Sequence, residues 1–146
     1  MTELLSLHAD APIRARKVAQ SLGTAAAPPV PGSAPHELIL RRTILLGTGA
    51  GPELLFADSC FVFDRFSASI QHDLLHTELP VGLLWRRERL EMYREIIDRR
   101  RETCAAVAAL LGTDEHATLY SRTYLIYYQQ RALGVITEKF AATALR

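Results

Sequence analysis

The chain has 146 residues, of which 49% are apolar and 23% are charged, and its formal net charge is +1. This length suits one domain that buries a core without help from a disulfide or a metal. The near-zero charge excludes a global field that would recruit nucleic acid or an anionic membrane. No apolar stretch approaches the roughly 20 residues that cross a bilayer. Residues 1–10 contain no basic segment followed by an apolar run, so we expect no signal peptide. We therefore expect a cytoplasmic protein in which Cys60 and Cys104 remain thiols.

The first 37 residues divide into two segments of different composition. Residues 2–22 predict a helix, whole or broken near Pro12, with Thr2 as N-cap and Gly23 as the stop. Residues 24–36 hold four prolines and one glycine, which excludes a regular helix or a central strand. We expect residues 24–37 to form a flap or a surface loop.

The remainder of the chain alternates strand-like and helix-like patterns. Helices are predicted over residues 67–77, with Ser67 as N-cap, and over 103–111, closed by Gly112. The apolar residues of segment 88–102 fit both the helical period and the alternation of a strand, and their spacing slightly favours a helix. Two hairpins are predicted from strand-like runs over 38–46 and 54–63, and over 119–128 and 133–140. Hairpins together with segregated helices indicate an α+β domain with an antiparallel sheet.

Three motifs have simple structural interpretations. The glycines from Gly47 to Gly51 lack the lysine of a phosphate-binding loop and predict a hairpin turn. His72 and His76 are spaced as two zinc ligands on a helix, but no third ligand follows, so we expect no metal. The basic clusters at residues 86–89 and 99–102 are interleaved with acids, which favours a solvated surface over a nucleic-acid partner.

Two charged residues stand inside apolar, strand-like runs. Arg42 follows Leu40 and Arg41 and precedes a run of apolar residues, and Glu138 lies shortly before Phe140. A buried charge is costly unless it is paired or binds a ligand. The alternative is that both side chains face water on one side of an antiparallel sheet.

Four segments resemble, in order, motifs of the chorismate pyruvate-lyase family, and the similarity extends over about residues 38–142. The first is a hairpin in which an arginine opens one strand and a second strand follows after a Gly/Pro turn. The others are a Pro-x-Gly segment, a strand that contains an arginine, and a final Thr-Glu-x-Phe. In this chain they are residues 42–59, 79–84, 121–124 and 136–140. The resemblance implies a sheet of about six antiparallel strands with helices packed on one side, and it makes residues 88–102 a strand.

The resemblance also implies the residues of a site for an aromatic or cyclohexadiene carboxylate. Arg42 would pair with the carboxylate, as a guanidinium fork matches two carboxylate oxygens. The backbone N–H of Val81 or Gly82 would donate to the ligand, and Arg122 would contribute to binding. Glu138 would contact the ring hydroxyl or handle a proton. Arg41 is the alternative to Arg42, one residue away and on the opposite face of the strand.

The implied activity is that of a cofactor-free carbon–oxygen lyase that converts chorismate to 4-hydroxybenzoate and pyruvate, as a monomer or small homo-oligomer. Where the family has a backbone N–H that contacts ligand, this chain has Pro12, which has no N–H. This departure favours a related carboxylate in natural-product synthesis. A second alternative is a non-catalytic effector-binding module of the kind found in bacterial transcription regulators.

Overall fold

The computed structural model describes residues 14–47, 53–78, 84 and 92–141. The elements in chain order are β1 (Arg14–Gly23), β2 (Ile39–Gly47), β3 (Glu53–Val62), α1 (Ala68–His76), β4 (Tyr93–Glu102), α2 (Ala105–Leu110), β5 (Leu119–Tyr128) and β6 (Arg131–Ala141), with a short 3-10 helix (Phe63–Arg65) after β3. The strands form one six-stranded sheet in the order β1, β2, β3, β6, β5, β4, and every neighbouring pair is antiparallel. The prediction of an α+β domain with a six-stranded antiparallel sheet is confirmed.

The prediction of a helix over residues 2–22 is wrong for the described part of that segment. Residues 14–23 form the edge strand β1, which pairs with β2 from Arg14 opposite Gly47 to Gly23 opposite Ile39. Local helix preference is weak, and the hydrogen bonds and packing along β2 outweigh it. Gly23 therefore ends a strand rather than a helix. Thr2 and Pro12 lie outside the described residues.

Both predicted hairpins are present. In the first, Gly47 pairs with Glu53, while the turn at residues 48–52 lies outside the described part of the chain. In the second, Gln129 and Gln130 connect β5 to β6 with φ values of 51° and 66°, the left-handed conformation of a tight two-residue turn. Strand β4 starts at residue 93, so the family resemblance predicted this segment correctly where the local period favoured a helix.

Helix α1 begins as its sequence predicts, because the Ser67 hydroxyl accepts a hydrogen bond from the Ile70 N–H at 3.3 Å. It packs on the side of the sheet that carries Leu40 and Phe61, which we call the front face. Leu40 and Phe61 belong to a hydrophobic cluster whose buried residues also include Ile70, Leu74, Leu84, Tyr124, Ile126 and Ile136. Most of the core around Arg42 and Glu138 therefore lies between α1 and the front face.

The opposite side, the back face, carries Leu45 and is covered by different segments. Helix α2 contributes Val107, and Leu111 directly after the helix joins it, in a cluster with Leu45 and Leu119. This helix therefore lies across the sheet from α1 rather than on the expected common side. The loop over residues 24–38 buries Val30 against the back face as well. This contact favours the loop interpretation of residues 24–37 over a flap above the front face. No helix within the described residues is long and apolar enough to span a bilayer.

Candidate functional site

Strand alternation separates the two neighbouring arginines of β2. Arg42 lies on the front face with 2% of its surface exposed, and its cross-strand neighbours are Gln20 and Ser59. Arg41 is exposed on the back face, where its Nη1 lies 3.4 Å from the sulfur of Cys60. Of the two candidates, Arg42 is therefore the one that enters the core side of the sheet.

The Arg42 guanidinium reaches the carboxyl end of α1. Its Nη2 donates to the Thr77 carbonyl at 2.7 Å, and Lys17 Nζ donates to the Leu75 carbonyl at 3.0 Å. Cations at this end of a helix are favoured by the helix dipole. Burial lowers the pKa of Arg42 to about 10, against the opposing charge of Glu78. Burial, and then the charge of Arg42, likewise lower the pKa of Lys17.

Glu138 lies on β6 of the same face and is 6% exposed. Its cross-strand partners are Ala57 on β3 and Arg122 on β5. Both Nε and Nη2 of Arg122 lie 2.8 Å from Oε1 of Glu138. The buried carboxylate is thus compensated by a guanidinium, as a buried charge requires.

Tyr124 is a third member of this arrangement that sequence reasoning missed. It is 5% exposed, and burial, the charge of Glu138 and a hydrogen bond to Glu138 raise the pKa of its hydroxyl well above the ordinary range. The guanidinium carbons of Arg94 and Arg122 lie 5.3 Å and 5.9 Å from its ring centroid. Its spacing of two from Arg122 places both residues on one strand face, which is the signal that could have identified it.

Arg42 and the Arg122–Glu138 pair share the front face but do not touch. Arg42 is opposite Ser59, which is opposite Ile136, and Glu138 follows two residues along β6. Strand spacing puts the Cα atoms of Arg42 and Glu138 roughly 12 Å apart. Ser59, 7% exposed, is a buried polar residue between them.

Two other expectations from the sequence have different outcomes. Val81 and Gly82 lie outside the described residues, although Leu84 just beyond them is fully buried in the front-face cluster. The rings of His72 and His76 on α1 have centroids 4.6 Å apart. Within the described ranges, no group of three or more His, Cys, Asp or Glu residues is placed to hold a metal.

The fold is shared with solved structures of low sequence identity. The chain resembles PhnF from Mycobacterium smegmatis (TM-score 0.74, 15% identity, covering 97% of this chain and 63% of that one). It also resembles the effector domain of the same protein (0.70, 18%, 97% and 88%). A GntR-family transcriptional regulator from Bacillus cereus is a third neighbour (0.66, 6%, 90% and 92%). At these identities the likeness establishes the fold alone.

Sequence comparison assigns the family. No curated protein is significantly similar to this chain. The family model described as chorismate pyruvate-lyase Rv2949c-like matches residues 1–146, the full length of the sequence. A match of this extent agrees with the four motifs and with the six-stranded sheet. The chain therefore belongs to the chorismate pyruvate-lyase Rv2949c-like family.

Proposed function

We propose that this protein is a cofactor-free carbon–oxygen lyase that converts chorismate, or a closely related cyclic carboxylate, to an aromatic acid and pyruvate. The observation that carries the proposal is the presence of a buried cation, Arg42, and a buried carboxylate, Glu138, on one sheet face. A ligand that contacts both needs an anionic group at one end and a hydroxyl at the other. Family membership supports the reaction class that we propose.

Arg42 binds the ring carboxylate in this proposal. Its burial removes competing water, so a charged contact there is stronger than at the surface. Arg42 also donates to Thr77 at the end of α1, which fixes the side chain before ligand arrives. The backbone N–H of Val81 or Gly82, in the segment that follows this helix, supplies a further donor.

Glu138 handles the other end of the ligand. Arg122 contacts Oε1 of its carboxylate through both Nε and Nη2, and this contact orients the group. In the reaction, the ring carbon that bears the hydroxyl loses its proton, and the neighbouring carbon–oxygen bond breaks. The C–H electron pair completes the aromatic ring, while the departing enolpyruvate takes up a proton to become pyruvate. Glu138 accepts the proton or holds the hydroxyl during this step.

A non-catalytic binding module is the alternative that a specific observation favours. The neighbours in fold include an effector domain and a GntR-family regulator. In such a protein, the same Arg42 and Glu138 would hold an aromatic acid without turning it over. Turnover, rather than binding, separates the two functions.

The test is to incubate the purified protein with chorismate and to measure pyruvate and 4-hydroxybenzoate together. We expect both products in a one-to-one ratio, with loss of both in Glu138→Gln. Binding of 4-hydroxybenzoate without pyruvate release would favour the binding module. Release of pyruvate from a related carboxylate, but not from chorismate, would assign the reaction to that substrate, as the proline at position 12 suggests.

A further inference from the structure

An open groove of about 550 Å³ lies on the front face at the edge of the sheet, on the far side of Arg122 from Arg42. Arg99 and Arg101 of β4 line it together with Tyr120, Arg122 and Phe140. Arg99 is directly opposite Arg122, and Arg101 is directly opposite Tyr120. The volume is in the range of pockets that bind small molecules.

The groove carries an excess of positive charge. Arg99 and Arg122 form a like-charge cross-strand pair, an arrangement that destabilises a sheet. Glu138 compensates Arg122 at 2.8 Å, but within the described residues Arg99 and Arg101 form no ion pair. The positive charges of Arg99 and Arg101 therefore remain beside one another on the groove wall.

Aromatic rings form the floor beside these charges. The rings of Tyr120 and Phe140 have centroids 5.9 Å apart, and the Arg101 guanidinium carbon lies 5.5 Å from the Tyr120 centroid. Cation–π contact of this kind orients a guanidinium before a ligand binds. Both rings are partly exposed and can therefore be covered by a flat group.

We propose that this groove is a second ligand site, which binds a phosphate monoester attached to an aromatic ring system. Two guanidinium groups that have no ion pair among the described residues match a phosphate monoester, whose charge is about −1.5 to −2, better than they match a single carboxylate. The ring of the ligand lies against Tyr120 and Phe140. Nucleotides and phosphorylated phenols share this chemistry. The groove shares Arg122 with the Arg42–Glu138 site. The proposal does not depend on lyase activity, because it rests on Arg99 and Arg101, which lie outside that site.

Direct binding measured by titration calorimetry tests the site with four probes: adenosine monophosphate, phenyl phosphate, inorganic phosphate and adenosine. We expect at least one of the two aromatic phosphates to bind more tightly than inorganic phosphate, and adenosine not to bind. The variant Arg99→Ala/Arg101→Ala should bind about tenfold more weakly or worse, because charged hydrogen bonds are lost. Each single variant should show part of this loss, and circular dichroism checks that the fold is retained.

A matched control removes two exposed arginines elsewhere, Arg41→Ala/Arg131→Ala, with the same change in net charge. This control should bind as the wild type does. Preference for adenosine monophosphate identifies a nucleotide as the occupant, and preference for phenyl phosphate identifies a phosphorylated phenol. Absence of binding by both aromatic phosphates, equal binding of adenosine, or an equal loss in the control would overturn the proposal.

Discussion

The front face of the sheet carries arginines at its centre and at its edge, in opposite environments. Arg42 on β2 is 2% exposed, and burial lowers its pKa to about 10. Arg99 and Arg101 on β4 are exposed. A charge at the centre must be held by a defined partner or ligand, whereas charges at the edge remain solvated until an anion arrives. Identical side chains on one sheet therefore suit different tasks.

The largest expected effect is on ligand affinity and comes from replacing Arg42 at the centre of the sheet. The Arg42→Ala variant should bind 4-hydroxybenzoate roughly 30-fold to several thousand-fold more weakly, because a buried charged contact typically contributes about 2–5 kcal/mol. Calorimetric titration of the wild type and the variant measures this loss. The Arg42→Lys variant, which keeps the charge but loses the fork, should lose less affinity.

The neighbouring Arg41 supplies the control for this comparison. Arg41→Ala removes the same charge from the back face, and its affinity for 4-hydroxybenzoate should stay within about twofold of the wild type. If Arg41→Ala weakens binding as much as Arg42→Ala, the effect arises from net charge, and the assignment of Arg42 as the carboxylate-binding residue is wrong.

Backbone packing gives a second contrast between centre and edge. A Cβ added at Gly134 on β6 would lie 2.6 Å from both the Cys60 carbonyl oxygen and Phe61 Cδ1. Gly134→Ala should destabilise the fold by about 1–3 kcal/mol, as overpacking does. Gly23 on the edge strand β1 has nothing within 4 Å of such a Cβ. Gly23→Ala should change the free energy of unfolding by at most about 1 kcal/mol, measured by chemical denaturation.

The lowered pKa of Arg42 predicts a dependence on alkaline pH. Only the protonated guanidinium attracts a carboxylate, so affinity for benzoate should fall as pH rises through about 10 and then by about tenfold per pH unit. The pKa of the Tyr124 hydroxyl is raised, which keeps that group protonated in this window. Lys17→Gln is the control, because the pKa of Lys17 is lowered as well and this second cation lies close to Arg42. Constant affinity up to pH 11 in that variant would contradict the assignment.

The smallest expected effect is on the free energy of unfolding and comes from replacing Arg101 at the edge of the sheet. Arg101 is exposed and forms no ion pair within the described residues, so Arg101→Ala should change the free energy of unfolding by less than about 0.5 kcal/mol. Thermal and chemical denaturation measure this change. A loss above 1 kcal/mol would show that the contact with Tyr120 contributes to the fold and would remove the contrast with the centre.

Sequence patterns predicted the parts of the fold that depend on local periods. The apolar runs of β2, β3, β5 and β6 and the Ser67 cap of α1 are such features. Strand β1 was missed because its alanines, lysine and arginines favour a helix, and only pairing with β2 makes it a strand. The placement of α2 on the back face also depends on contacts that no local pattern contains.

The candidate site was predicted in part for a similar reason. Family motifs identified Arg42, Arg122 and Glu138, but one residue of register decides whether Arg41 or Arg42 faces the core. The contact of Arg122 with Glu138 requires the pairing of β5 with β6. Ser59 and Tyr124 stand at the ends of two motif segments, but the resemblance assigns neither of them a role. Their burial beside these charges depends on contacts between strands.

The most direct test of the central claim is the rate of pyruvate release from chorismate by Glu138→Gln relative to the wild type. This replacement retains shape and removes the group that accepts a proton. The proposed function predicts a folded variant whose rate is lower by about 10²–10⁴-fold, the usual contribution of a positioned acid or base. A wild type that releases pyruvate and a Glu138→Gln variant that releases it at the same rate would contradict the role of Glu138.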